Sequence, residues 1–244
     1  MIELQQATRL YGRKVAVNKL DLVVPRGELF AFLGPNGAGK TTTIKMMVGL
    51  LRPTSGVVSI GGHDISLHPR EVNLCTGYVP DEPYLYDKLT GREFLKFVAD
   101  LYGMSPAAAA ESLERQIVTF GLAEFVDQLT ESYSHGMKQR LVFASALLHN
   151  PSVLIVDEPM VGLDPRSMRL VKDLLRDKAR SGTTVFMSTH TLAVAEEIAD
   201  RIGVITGGQL RFLGTVSDLR RQLARDDSLE QLFLRLTDET LVAS

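Results

Sequence analysis

Apolar residues along the first sixty positions form short runs and alternations that predict β-strands and one helix. Residues 2–4 and 15–24 cluster or alternate apolar side chains. Residues 29–33 are apolar at every position, which is typical of a strand buried on both faces inside a parallel sheet. A glycine-rich loop follows, and apolar residues at helical spacing then predict a helix over residues 41–51. Residues 57–60 predict a further strand.

The middle of the chain changes to a helical pattern. Thr90 and Glu93 have the spacing of a capping box ahead of an apolar helical stripe. Helical patterns continue to Leu148 with no convincing strand. Strand patterns resume at residues 153–156, 185–188 and 202–205, and Asp164 followed by proline predicts a helix start between the first two.

These patterns predict an α/β protein with an inserted helical part. We expect an α/β core formed by residues 1–88 and 152–216, a helical subdomain at residues 89–151, and a C-terminal helical tail at residues 217–244. Apolar residues at helical spacing after Ser228 form a stripe in the tail, which we expect to pack on the body of the protein.

Composition narrows the possible partners. Lys and Arg total 27 and Asp and Glu total 29, so the formal net charge is −2. Proteins that neutralise a phosphate backbone usually carry a positive excess, so we expect no nucleic-acid partner. The single cysteine, Cys75, excludes an intrachain disulfide, and no Cys/His cluster has zinc spacing.

The sequence also lacks the signals of a secreted or membrane-spanning protein. No run approaches the roughly 18 to 20 apolar residues that cross a bilayer. The first residues lack the basic start and apolar segment of a secretory signal. We therefore expect a cytoplasmic protein whose only route to a membrane is through a partner.

The glycine-rich loop has the form of a phosphate-binding loop. Residues 34–41 fit G-x-x-x-x-G-K-[ST], and they follow a predicted buried strand and open a predicted helix. Glycines let backbone N–H groups point at phosphate oxygens, and the helix N-terminus attracts negative charge. Lys40 is expected to reach the β- and γ-phosphates and the Thr41 hydroxyl to bind Mg²⁺. The residues predicted to bind a nucleoside triphosphate here are Gly34, Pro35, Asn36, Gly37, Ala38, Gly39, Lys40, Thr41 and Thr42.

Two carboxylates, Asp157 and Glu158, end the predicted strand at residues 153–156. Ligands of α/β folds bind at the carboxyl ends of strands. One acid can hold a metal ion while its neighbour faces the attacking water. Two adjacent acids alone are weak evidence, but 117 positions after Lys40 they strongly indicate triphosphate hydrolysis.

The order of these motifs resembles the ATP-binding cassette, the nucleotide-binding subunit of ABC transporters. Residues 134–140 (Ser-His-Gly-Met-Lys-Gln-Arg) match the family's signature, and residues 162–164 (Gly-Leu-Asp) resemble its D-loop. His190 resembles the family's switch histidine, and Tyr11 has the place of the aromatic residue that stacks on adenine. The resemblance extends from Tyr11 to about Leu236.

The resemblance implies a fold, cofactors and partners. The fold is a P-loop NTPase (RecA-like) core with an N-terminal antiparallel β subdomain and the inserted helical signature subdomain. The cofactors are ATP and Mg²⁺. A second cassette, identical or different, would face the first head to tail so that the pair encloses two ATP molecules. Ser134 and Gly136 are then predicted to contact ATP held by the partner chain, and Asp164 is included among the ATP-binding residues.

The resemblance also assigns catalytic roles. Glu158 is the candidate general base that polarises water for in-line attack, and His190 would hydrogen-bond the γ-phosphate or that water. Asp157 joins Thr41 as a predicted Mg²⁺ ligand. Asp81 stands where the family usually has glutamine, and we include it among both the catalytic and the metal-binding residues. Its extra negative charge would strengthen metal binding or raise a pKa in the cluster.

An aromatic loop with Tyr84 and Tyr86 follows Asp81, and the resemblance places the groove for a permease helix there. Ordinary packing would explain the same residues. Residues 79–83 and 228–237 are most similar to subunits paired with ABC-2-type export permeases. The predicted function is ATP hydrolysis that drives an integral membrane permease, an exporter, with this chain held at the inner face of the cell membrane.

Three other functions compete with transport as explanations of these motifs. A soluble single-cassette ATPase that acts as an assembly or scaffold factor would carry the same motifs. A neighbouring gene with about six hydrophobic spans would favour transport, whereas neighbouring genes for soluble assembly factors would favour this alternative. A small-molecule kinase must exclude water, which the acid pair and His190 argue against. Residues 18–21 (Asn-Lys-Leu-Asp) fit the guanine motif of GTPases, but they precede the phosphate-binding loop.

Overall fold

Two β-sheets form the framework of the protein. The computed structural model describes residues 1–221. The strands in chain order are β1 (Ile2–Tyr11), β2 (Lys14–Val24), β3 (Leu29–Leu33), β4 (Ser55–Ile60), β5 (His63–Asp64), β6 (Thr76–Val79), β7 (Val153–Val156), β8 (Thr184–Thr189), β9 (Arg201–Thr206) and β10 (Gln209–Gly214). One sheet is antiparallel with the order β2-β1-β4-β5. The other has the order β10-β9-β3-β8-β7-β6 and is parallel except for β10.

Helices cover the larger sheet and form a separate layer in the middle of the chain. They are α1 (Lys40–Met47), α2 (Pro69–Cys75), α3 (Gly91–Leu101), α4 (Pro106–Thr119), α5 (His135–Ala146), α6 (Pro165–Arg180), α7 (Leu192–Ile198) and α8 (Val216–Arg221). Across residues 1–221, no helix is both long enough and apolar enough to span a bilayer.

Strand β3 lies at the centre of the core and is buried on both faces. It pairs in parallel with β8 on one side and β9 on the other. Phe30 and Phe32 point to one face, where they pack against Phe186 beneath the antiparallel sheet. Leu29 and Leu33 point to the other face and join the cluster that includes the inserted helices. The apolar run at residues 29–33 therefore correctly predicts a central strand, since a strand in the middle of a covered sheet has no polar face.

The inserted segment between β6 and β7 is helical, as predicted. It contains α3, α4, α5 and a short 3₁₀ turn, and its β-structure within the described residues is one isolated bridge between Thr90 and Leu129. The predicted capping box is present at α3, where the Thr90 hydroxyl accepts from the Glu93 amide and the Glu93 carboxylate accepts from the Thr90 amide. This reciprocal pairing satisfies amides that the first helical turn leaves without partners.

The predicted α/β fold class is confirmed, while some elements were missed. Helix α2 and strand β10 were not predicted, and β1 extends well beyond residues 2–4. The boundaries at residues 88/89 and 151/152 stay a prediction. Residues 222–244, which contain the predicted apolar stripe of the tail, lie outside the described residues.

Candidate nucleotide-binding site

The glycine-rich loop joins β3 to α1, and close backbone packing explains two of its glycines. A Cβ at Gly34 would lie 2.4 Å from the carbonyl oxygen of Ile205. Gly39 has φ of +110°, and a Cβ there would lie 2.5 Å from the carbonyl oxygen of Ala16. Only glycine meets both requirements. The loop is therefore pressed against β2 and β9, with its open side left for a ligand.

Lys40 is the first residue of α1 and its ammonium lies inside the loop. The side chain is 6% exposed, and it donates to the carbonyl oxygens of Gly34 at 2.7 Å and Pro35 at 3.2 Å. Its Nζ also lies 3.3 Å from Oε1 of Glu158. A buried cation is thus held where the loop, the helix N-terminus and the acid pair meet.

A cleft of about 440 Å³ opens over the loop. It brings together Asp81, Glu158 and Tyr11, which lie far apart in sequence, with most of the loop residues. Gly34 and Ala38 are buried and do not line it. The lining residues are Tyr11, Lys14, Ala16, Pro35, Asn36, Gly37, Gly39, Lys40, Thr41, Thr42, Asp81 and Glu158.

Glu158 is held between a cation and a histidine. It follows β7 with φ of +47°, a conformation that residues with a side chain rarely adopt and that often marks functional sites. Its Oε2 lies 3.0 Å from Nδ1 of His190, which is about half-exposed. Its amide donates to Oγ of Ser188 at 2.9 Å. Glu158 is thus fixed by its backbone while its carboxylate links Lys40 to His190.

Asp157 is buried, and within residues 1–221 only one of its two carboxylate oxygens has a hydrogen-bond partner. Its side chain is 1% exposed, and Oδ1 accepts a hydrogen bond of 2.5 Å from Oγ of Ser188. Oδ2 has no hydrogen-bond partner among residues 1–221. Burial, together with the charges of Asp157 and Glu158, raises the pKa of Asp81, and Lys40 opposes that increase. The cleft therefore concentrates negative charge at its acidic end.

This charge pattern fits a divalent cation shared with a nucleotide. No group of three or more His, Cys, Asp or Glu side chains within residues 1–221 is arranged to hold a metal by itself. Mg²⁺ is usually bound through one or two carboxylates or hydroxyls and the substrate phosphates. The unpartnered Oδ2 of Asp157, with Thr41 and Asp81 on the cleft wall, suits that mode.

Tyr11 lies at the rim of the cleft, where the sequence predicts an aromatic residue. Its ring is partly exposed and lies 4.9 Å from the guanidinium carbon of Arg9. Stacking of adenine on this ring stays a prediction. Two further residues of this region, Lys14 and Ser188, were missed by the sequence reasoning. The lone hydroxyl in the otherwise apolar run of residues 185–188 was a signal for Ser188.

Ser134, Gly136 and Asp164 do not line the nucleotide cleft of their own chain. Ser134 is exposed and caps α5, since its Oγ accepts from the amide of Met137. Asp164 caps α6 by accepting from the amides of Arg166 and Ser167. These residues could therefore contact only a ligand that lies outside this cleft. Their contact with the ATP of a partner chain stays a prediction.

Three features define a P-loop nucleotide-hydrolysing protein: a buried strand, a glycine-rich loop that ends in a lysine, and an acid pair at the end of another strand of the same sheet. The family model of the ABC transporter matches residues 17–161. The linearmycin resistance ATP-binding protein LnrL of Bacillus subtilis (strain 168) is 35% identical over 243 residues, which cover 100% of this chain and 78% of that protein.

The daunorubicin/doxorubicin resistance ATP-binding protein DrrA of Streptomyces peucetius is 40% identical over 237 residues, which cover 97% of this chain and 71% of that protein. A solved structure of the ATP binding subunit of an ABC transporter superposes with a TM-score of 0.90 at 34% identity, covering 98% of this chain and 100% of that chain. The chain therefore belongs to the ABC transporter family, in which it is an ATP-binding ATPase. The predicted family is confirmed.

Proposed function

We propose that this chain is the ATP-hydrolysing subunit of an exporter, that it dimerises head to tail on binding ATP, and that it drives an integral membrane permease. The observation that carries the proposal is the linked arrangement of Lys40, Glu158 and His190 at the open side of the phosphate-binding loop. A kinase must keep water away from the phosphate, because water competes with the acceptor of the phosphoryl group. A carboxylate placed to activate water therefore does not suit a kinase site.

In this proposal, each residue has one task. Lys40 exchanges its carbonyl partners in the loop for phosphate oxygens, and the amides of the loop hold the remaining charge. Glu158 accepts a hydrogen bond from the attacking water, and His190 positions that water or the γ-phosphate from the other side. Thr41, Asp157 and Asp81 would hold Mg²⁺, which supplies charge neutralisation for the phosphates.

The head-to-tail dimer is supported by residues that have no ligand in their own chain. Ser134 and Gly136 lie at the N-terminus of α5, which is a favourable position for an anion. Asp164 lies at the start of α6, and a Cβ at Gly162 would lie 3.1 Å from Nε2 of His135, so the D-loop and the signature are neighbours. A second chain that brings its own phosphate-binding loop to this face would complete the site.

The permease and the direction of transport are supported by the relatives. The two similar proteins described above are resistance ATP-binding proteins, which fits export from the cell. The loop with Tyr84 and Tyr86 is the proposed contact with a permease helix, and that contact would place the chain at the inner face of the membrane.

The experiment uses Glu158→Gln, which keeps the size of the side chain and removes its charge. We expect ATP hydrolysis to fall roughly 100-fold or more, the scale of losing one transition-state group. We also expect light scattering to show twice the monomer mass of 26.9 kDa with Mg-ATP, and the monomer without Mg²⁺. Adding Lys40→Ala should abolish the dimer.

The matched control is Glu82→Gln, an exposed carboxylate adjacent to Asp81 that does not line the cleft. It should turn over ATP at the wild-type rate. Rapid turnover by Glu158→Gln would contradict its assigned role. A mass that does not double at saturating Mg-ATP, either alone or with the native partner subunits, would contradict dimerisation.

A further inference from the structure

A second cleft, of about 740 Å³, separates the inserted helices from the core. We call it the α5–α6 cleft. Its walls are the end of α4 with the loop after it, residues 136–143 of α5, and residues 163–174, which include the start of α6. This volume lies within the roughly 300–1,000 Å³ range of small-molecule sites. The cleft is larger than the nucleotide cleft. Gly136 and Asp164, which are predicted to contact the ATP of a partner chain, lie on its wall, and the proposed reaction gives no role to the other lining residues.

Gln139 gives this cleft an unsatisfied polar group. The side chain lines the cleft and is 3% exposed, and its Oε1 accepts no hydrogen bond from residues 1–221. Buried polar atoms in proteins are nearly always paired, and an unpaired one costs about 1–3 kcal/mol. The cleft therefore offers a hydrogen-bond acceptor to an N–H or O–H group of a ligand.

The rest of the cleft combines an apolar wall with an apolar rim. Phe120 and Phe143 are stacked with ring centroids 6.2 Å apart. Leu170 is 60% exposed at the rim, and Leu174 continues the same side of α6 into the cleft. A flat apolar group would cover these side chains and remove their surface from water.

The cleft is lined by charges of both signs, and its two arginines can contact an anionic group of a ligand. Arg140 and Arg166 both line it. Of the lining carboxylates, Asp164 is already engaged by the amides of Arg166 and Ser167 and by the Ser167 hydroxyl. Glu124 is the other. Arg140 donates to the carbonyl oxygens that follow α4, so its charge is fixed in the wall without being neutralised by them.

We propose that the α5–α6 cleft is a binding site for a small organic anion with a flat apolar body and one hydrogen-bond donor. The apolar body lies against Phe120 and Leu170, the donor reaches Oε1 of Gln139, and the anionic group faces Arg166.

Occupancy of the cleft has a consequence that rests on the proposed function. Helix α5 begins after Ser134 and α6 begins after Asp164, and both caps are predicted to meet ATP across the dimer. A ligand that contacts both helices restrains their spacing at the face where the second chain must fit. We therefore expect a bound anion to slow ATP hydrolysis.

The test uses 1-anilinonaphthalene-8-sulfonate, which carries fused aromatic rings, one secondary amine N–H and one sulfonate. Its fluorescence is titrated with the full chain. We expect one saturable site per chain. Leu170→Glu should weaken binding at least about tenfold by placing a negative charge in the apolar wall, and Gln139→Met should weaken it about tenfold by removing the acceptor.

Leu67→Glu is the matched control, because Leu67 is an exposed leucine outside this cleft. It should bind the probe as the wild type does, and all variants should keep the wild-type circular dichroism. Binding that does not saturate, or that is equally affected by Leu67→Glu and Leu170→Glu, would overturn the site. Loss of probe binding in Lys40→Ala would place the probe in the nucleotide cleft and overturn it as well.

The consequence for hydrolysis is measured separately. Saturating probe should lower the ATPase rate of the wild type and leave that of Leu170→Glu unchanged. Saturable binding without any change in rate would remove the regulatory effect and leave the site standing. Failure of the proposed function itself would be seen in the Glu158→Gln experiment, which contains no probe.

Discussion

Asp81 places a third carboxylate at the acidic end of the nucleotide cleft. Partial burial is the main cause that raises its pKa, the negative charges of Asp157 and Glu158 add to this increase, and Lys40 acts in the opposite direction. A raised pKa means that the ionised side chain is less favourable in the folded protein than in the unfolded chain. Asp81 is therefore a source of instability that a bound cation would relieve.

Asp81→Asn should stabilise the nucleotide-free protein, because it removes a charge that its neighbours repel. At neutral pH and in the absence of Mg²⁺, we expect the melting temperature to rise by about 1–2 °C, a small effect because the side chain is largely exposed. Asp87→Asn, an exposed acid of the same loop, is the control and should change little. A melting temperature that falls, or that matches that of the Asp87 variant, would show that repulsion between Asp81 and its neighbours does not destabilise the protein.

The positions of site residues could be predicted from the sequence where a motif includes them. Most of the loop, Glu158, Tyr11 and Asp81 were identified from the sequence, and in the structure they line one cleft. Ser188 was missed because it bridges the Asp157 carboxylate and the Glu158 amide, which lie 31 and 30 positions earlier in the chain. Hydrogen bonds of this kind depend on the arrangement of strands and leave little trace in a sequence.

At the scale of elements, the loop after β6 presents aromatic side chains to the outside. Tyr84 is 79% exposed and meets Tyr86 edge to face, with ring centroids 6.0 Å apart. Tyr86 in turn packs edge to face on Phe97 of α3. Residues 83–88 and Lys138 border a shallow cleft of about 370 Å³. An exposed aromatic pair beside a cleft, anchored on a helix, is suited to hold a helix of another protein.

Changing Tyr84 and Tyr86 together to Glu should uncouple transport from hydrolysis. The charges would oppose burial of the loop against a permease helix, whereas the nucleotide cleft is lined by other residues. We expect transport by the complete complex to be lost and the ATPase rate of the isolated chain to stay within about twofold. Leu50→Glu with Leu67→Glu, two exposed leucines elsewhere, is the control. Normal transport by the tyrosine variant would refute the contact.

The elements that the sequence reasoning missed have weak apolar patterns. In α2, Val72 is the buried residue, so a helical stripe is absent. In β10, at the edge of its sheet, Phe212 is the buried residue, so alternation is not visible. Central strands and long amphipathic helices bury a full face and are therefore predictable, whereas elements at the periphery take their structure from their neighbours.

At the scale of the whole molecule, the order of strands explains how the site is assembled. Strand β8 lies between β3, which ends at the phosphate-binding loop, and β7, which ends at the acid pair. Ser188, at the end of β8, and His190, just beyond it, therefore lie between the phosphate-binding loop and the acid pair. The sequence predicts these three strands but not their order, because pairing between distant strands is decided by packing of the complete sheet.

The seam between the inserted helices and the core contains an aromatic stack. His149 follows α5, and its ring lies on that of Tyr102, the cap of α3, with centroids 3.7 Å apart and planes within 10°. Burial lowers the pKa of His149 to about 4. Between pH 6.5 and 4, the unfolded chain therefore takes up a proton at this residue that the folded protein does not.

His149→Phe should make the stability of the protein less dependent on pH. The stabilisation due to neutral His149 is complete above pH 6.5 and decreases as the pH falls towards 4, because protonation favours the unfolded chain. Phenylalanine keeps a ring on Tyr102 and cannot titrate. Between pH 7.5 and 4.5, we expect the wild type to lose about 1–2 kcal/mol more unfolding free energy than the variant, a value reduced for the partial exposure of the ring.

Urea unfolding at both pH values measures the difference, with His68→Phe at an exposed position as the control. Equal losses in wild type and His149→Phe would show that the stack at this seam tolerates a charged histidine.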